Sequence, residues 1–161
     1  VNDPPALAVI PNPAAILEDA GAQNVSFSGF SAGPANETQA LTVTNASSNP
    51  GLIPNPAVTY TSPQSTGTLT LAPLPNAGGT ATITVVVSDD GGTDAGGINA
   101  VTNRFQVTVT PVNDLPTLSV IADQTIDEDQ PAGPASYALA TAEQHSTTPL
   151  IFSAPEPPFL G

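Results

Sequence analysis

Cysteine, methionine, tryptophan and lysine are all missing from this 161-residue chain. Without cysteine there is neither a disulfide framework nor a thiolate metal site, although that alone does not assign a compartment. The one histidine, His145, rules out a multi-histidine metal centre and any Cys-His pair. Nothing resembles a Gly-x-Ser-x-Gly nucleophile elbow. Arg104 is the sole cationic side chain against fourteen acidic residues, which leaves a formal net charge of -13. That balance opposes nucleic acid, whose phosphates need cationic neutralisation, and opposes anionic membrane surfaces equally. No apolar run approaches the ~20 residues that span a bilayer, so membrane insertion is not expected. No charged-then-apolar leader opens the sequence, and any targeting segment would lie upstream of Val1. Aromatic residues make up only 4% of the chain, which leaves little for a sugar-stacking cleft.

What the chain does contain is a phrase used twice. Val1-Asn2-Asp3-Pro4-Pro5-Ala6-Leu7-Ala8-Val9-Ile10 returns as Val112-Asn113-Asp114-Leu115-Pro116-Thr117-Leu118-Ser119-Val120-Ile121. The pair Glu18-Asp19 returns as Glu128-Asp129. The period of about 110 residues is that of one β-sandwich domain and marks a tandem array of modules. Residues 1–111 are therefore expected to form one complete unit. Residues 112–161 begin a second, truncated or divergent one.

Nineteen prolines and thirteen glycines punctuate segments rich in Thr and Val, which disfavours helix and favours strands. Ala81, Ile83, Val85 and Val87 alternate with Thr82, Thr84 and Ser88, the period-two pattern of a half-buried strand. In residues 101–109, Phe105, Val107 and Val109 are expected to face the core. The long Asp/Gly-rich turn at residues 88–97 makes these two strands the closing hairpin. Earlier strands are expected at 7–10, 15–17, 25–30, 40–44, 57–61 and 68–74. Short strands with turn signals every 8 to 12 residues predict an all-β, immunoglobulin-like (cadherin-like) Greek-key β-sandwich of seven to nine strands.

The acidic residues group at three places. Asp3 and Asp114 sit in the repeated phrase, Glu18-Asp19 and Glu128-Asp129 follow it, and Asp89-Asp90 with Asp94 occupy the hairpin loop, with Glu37 standing alone. Calcium takes six to eight oxygens from carboxylates, Asn side chains and carbonyls, and such a set can be assembled at a domain junction. Solvated surface and turn chemistry account for the same residues individually. The strict twelve-residue calcium loop is not present.

Several stretches together resemble the bacterial cadherin-like or Ig-like tandem repeats of large secreted adhesins. They are residues 41–43 with 46–55, Gly67-Thr68-Leu69-Thr70-Leu71, residues 79–85 with Ser88-Asp89, and Val107-Thr108-Val109-Thr110-Pro111-Val112-Asn113-Asp114. The resemblance implies a non-enzymatic spacer or adhesion module, extracellular or on the bacterial cell surface, with Ca2+ at its junctions. Its partners would be neighbouring repeats of the same chain, and a cell-surface protein or glycan. Asn113 and Asp114 would be linker ligands, Asn2 and Asp3 would serve the preceding junction, and Glu18 and Glu128 would be acidic ligands at the domain top. Glu37 and Asp89 complete the candidate set. One element departs from the pattern: where such repeats carry Asp-x-Glu after the strand at 25–30, only Glu37 is present. The rival reading is a carbohydrate-binding or substrate-recognition module of a secreted hydrolase. Phe30 and Tyr60 exposed side by side would favour it, and both buried would count against it.

Overall fold

The computed structural model describes residues 1–115. Val1–Val112 form one compact unit, and Asn113–Gly161 belong to another. The first unit is all-β, with two sheets in the manner of a β-sandwich. Its strands are β1 (Ile16–Leu17), β2 (Gln23–Ser28), β3 (Leu41–Ser47), β4 (Ala57–Thr59), β5 (Thr66–Leu71), β6 (Gly79–Asp89) and β7 (Ala100–Thr110). One sheet has the order β1-β7-β6-β3, and the other β2-β5-β4. All pairings are antiparallel except β1 with β7, where Ile16 lies beside Val109.

The expected closing hairpin is present and longer than its apolar pattern suggests. β6 and β7 each run eleven residues, with Ile83 opposite Phe105, Ala81 opposite Val107 and Val87 opposite Val101. Alternation places Ala81, Ile83, Val85, Val87, Phe105, Val107 and Val109 inside. Leu69, Leu71 and Phe27 meet them from the second sheet, and Ile53 and Leu52 close one end. Thr82, Thr84, Arg104 and Gln106 take the outward positions.

The segment at 7–10 is not a strand. It follows an isolated bridge, Ala6 to Ser31, and makes a bond from Ala8 N to Ser28 O. Pro4, Pro5, Pro11 and Pro13 flank it and lack the N–H groups that a continuous ladder requires. Asn103 Nδ2 and the Gln106 N–H bind this stretch from the other side, through Ala8 O and Asn12 Oδ1. β3 runs on to Ser47, and β4 stops at Thr59.

The long hairpin gives the unit two poles. The Asp89 end of β6 defines an amino pole, where Asn2 lies; the Gly79 end defines a carboxy pole, where β7 leaves through Thr110. Ten steps along β6 separate the two by about 33 Å.

Leu69 is completely buried between the sheets. Leu69→Ala is expected to lower unfolding free energy by about 2–5 kcal/mol in a urea titration. Thr44→Ala, on the exposed face of β3, should change it by less than about 0.5 kcal/mol.

Candidate functional site

At the amino pole the hairpin loop after β6 forms a socket for one side chain. Asn2 Nδ2 donates to Asp89 Oδ1 at 2.9 Å and to the Ile98 carbonyl at 2.8 Å. Its Oδ1 accepts from Gln39 Nε2 at 2.9 Å, and its backbone carbonyl accepts the Ile98 N–H at 3.1 Å. Both ends of the Asn2 carboxamide therefore meet the fold. Two glycines make room for it. A Cβ at Gly91 would collide with Asn2 Oδ1, and one at Gly97 would lie 3.0 Å from Asn2 Cβ. The Asp/Gly-rich composition of this loop is thus a packing requirement as well as a turn requirement.

Around the socket stand further oxygens. Asp89 is 7% exposed; its Oδ1 also accepts the Gly91 N–H at 2.9 Å, while Oδ2 is buried without a hydrogen-bond partner. Gln39 donates from Nε2 to Glu37 Oε2 as well as to Asn2, and its Oε1 is likewise buried without a partner. Glu37 Oε1 accepts the Asp3 N–H at 3.3 Å, and Asp90 Oδ1 accepts the Ala40 N–H at 3.0 Å. Asn2, Asp3, Glu37 and Asp89 are therefore brought together from three separate stretches of sequence. Gln39 joins them, a residue that a reading based on charge misses because an amide carries none.

Glu18 is not in this group. It lies at the carboxy pole, 4% exposed, and its Oε1 accepts the Val112 N–H at 2.7 Å. Its own N–H donates to Thr110 O at 3.1 Å, and its Oε2 is buried without a partner. The carboxylate is drawn here because β1 runs parallel to β7 and ends beside Thr110. Within the second unit, Asn113 is exposed and its side chain donates to Asp114 O at 3.4 Å. Asp114 is half-buried, and Glu128 lies outside the described residues.

Among the described residues no group of three or more His, Cys, Asp and Glu side chains is arranged to hold a metal. The amino-pole cluster instead mixes carboxylate and amide oxygens. That donor chemistry suits calcium, which accepts both types. Asp89 Oδ2 and Gln39 Oε1 are buried acceptors without a donor within the fold, which is costly.

The aromatic pair is neither exposed side by side nor wholly buried. Phe30 is buried, Tyr60 is half-buried, and their rings stack on each other with centroids 4.3 Å apart. Phe27 meets Phe30 edge-on at 5.0 Å, and Phe27 and Tyr60 also line a cleft of about 480 Å³ with Thr59, Thr61 and Gln64.

Gly91→Ala should push Asn2 out of its socket, since an added methyl and the carboxamide oxygen cannot share the space. The expected result is lost exchange protection at the Ile98 amide and about 1–3 kcal/mol less stability. Gly21→Ala, with no atom within 4 Å of the added methyl, is the matched control. No family model, curated protein or solved structure matches this chain.

Proposed function

We propose that the chain is a structural module of a tandem array, a non-enzymatic spacer or adhesion repeat of a large extracellular protein, stiffened by calcium at its poles. The observation that carries this reading is where the two copies of the repeated phrase are held. The first is gripped through the Asn2 side chain at the amino pole. The second begins at the carboxy pole, with the backbone N–H of Val112 on Glu18. The atoms used at the two places do not overlap. One copy of the phrase can therefore serve both kinds of anchorage, as modules in series require.

Charge placement supports the calcium part of the reading. Asp3, Glu37, Asp89, Asp90 and Asp94 lie in the loops of the amino pole or at its strand ends, whereas Glu18 and Asp19 lie at the carboxy pole. Modules meeting pole to pole would bring like charges together, and a divalent cation offsets that repulsion. Asp89 and Gln39 at one pole, and Glu18 at the other, supply unpartnered buried oxygens for it. The strand order β1-β7-β6-β3 against β2-β5-β4, with β1 parallel to β7, supports an immunoglobulin-like Greek key as the finer description.

The reading is tested by melting the chain in calcium and in chelator, with calorimetric titration on metal-stripped protein. At a hundredfold excess over Kd, binding should add about 2.7 kcal/mol, seen as a rise in Tm of several degrees. Asp89→Asn should abolish the amino-pole part of that rise, and Glu18→Gln the carboxy-pole part. Identical melts with no heat of binding would remove calcium from the proposal.

A further inference from the structure

The cleft of about 480 Å³ draws its lining from β2, from β5 and from the end of β4 with the turn that follows it. Alternation sends Phe27 and Leu69 into the core and leaves Ser26, Ser28, Thr59, Thr66 and Thr68 on the other face of the sheet. Register sets Thr68 between Ser26 and Thr59 in one row, with Ser28 beside Thr66 in the next. Neighbouring positions stand about 4.8 Å apart across strands and about 6.6 Å apart along them. Thr61 and Gln64 complete the lining at the turn, which the Gln64 N–H closes on Thr61 O at 2.9 Å.

Two properties set this cleft apart from the poles. None of its ten lining residues is charged, in a chain with fourteen acidic side chains. Its Ser, Thr and Gln side chains make no hydrogen bond to any described residue, so each hydroxyl is free both to donate and to accept. A cation finds no carboxylate here, and an anion finds no basic group. An apolar ligand would bury these hydroxyls without partners, which weakens binding. A peptide strand finds no ladder to join within the cleft, because β5 at its centre is already hydrogen-bonded on both sides. An uncharged ligand that carries its own hydroxyls meets these requirements, with Phe27 and Tyr60 among the lining for its carbon atoms.

We infer that this cleft binds a neutral saccharide. Each contact exchanges a hydroxyl bound to water for one bound to sugar, so single bonds contribute little and affinity comes from several made together. The net charge of -13 disfavours an acidic glycan at the same place. The sugar is held by strand hydroxyls and the Gln64 amide, not by a platform of exposed aromatic rings. The inference goes beyond the spacer reading, and it shares no residue with the acidic sets of either pole.

The experiment follows backbone amide shifts of the full chain in chelator, titrated separately with maltose, cellobiose, lactose, 3′-sialyllactose and glycerol. At least one neutral disaccharide is expected to give saturable shifts at Ser26, Thr59, Gln64 and Thr66, with a dissociation constant on the order of 0.1 to 10 mM. Glycerol and 3′-sialyllactose should give none at these amides. Thr66→Val keeps a β-branched strand residue and removes only the hydroxyl; it and Gln64→Ala should each weaken binding by about threefold or more. Thr44→Val, on the other sheet, should leave the titration unchanged. The inference is overturned by absence of saturable shifts with all three disaccharides, by an equal response to glycerol or 3′-sialyllactose, or by unchanged titrations of both Thr66→Val and Gln64→Ala. Chelator is present throughout, so a null calcium titration and a null sugar titration are independent results.

Discussion

The pairing of β6 with β7 sets both the core and the distance between the poles. Each strand is eleven residues long, and their register runs from Gly79 opposite Val109 to Ser88 opposite Ala100. Alternation then fixes one inward row of Ala81, Ile83, Val85 and Val87 and a second of Phe105, Val107 and Val109. A one-residue slip would exchange that apolar surface for Thr82, Thr84, Arg104 and Gln106, so the register is strongly specified. The same pairing carries Asp89 to one end, where it meets Asn2, and delivers Thr110 to the other, where it meets Glu18. The two candidate sites are consequences of where this hairpin begins and ends.

Scarcity of cationic groups explains why both ends carry unpaired oxygens. A buried carboxylate ordinarily pairs with an arginine or lysine; here Arg104 is the only such side chain, and it lies mid-strand. Asp89 and Glu18 are satisfied on one oxygen each by N–H donors, Asn2 and Gly91 for the first and Val112 for the second. The remaining oxygens must be met from outside the fold or left at a cost of about 1–3 kcal/mol each. Against a typical folding free energy of about 5–15 kcal/mol, that cost is large enough for binding of a cation to matter to stability.

Much of the fold is legible in the sequence, and the reason differs by element. The Ile83/Val85/Val87 and Phe105/Val107/Val109 alternation announces the hairpin because both strands have one buried face. The strand expected at 7–10 does not form, since that stretch answers to contacts with Ser28 and Asn103 and the surrounding prolines forbid a full ladder. The repeat points to Asn2 and Asp3, and the Asp/Gly loop to Asp89. Their meeting cannot be read, because it depends on how the first residues return to a loop nearly ninety positions on. The resemblance puts Glu18 at the domain top, in the same ligand set as Asn2 and Asp3. A two-residue strand that pairs parallel to β7 puts it at the other end, and no local pattern encodes that choice. Gln39 is invisible to a search for carboxylates, since its part in the cluster rests on an uncharged amide oxygen.

The outer edges show how the chain avoids sideways association without lysine, the usual edge-blocking residue. On β3, an edge strand, the Leu41 N–H is taken by Ser62 Oγ and the Ser47 N–H by Asn55 Oδ1, while Asn45 Nδ2 reaches the Pro56 carbonyl. Of the other three edges, β4 and β1 are only three and two residues long, while β2 runs six. The end of β2 is covered by the Ala8 contact with Ser28. Prolines and side-chain caps thus replace charge along the flanks, which frees the acidic residues to concentrate at the ends. Among the described residues, the unpartnered buried carboxylate oxygens, those of Asp89 and Glu18, lie at the two poles.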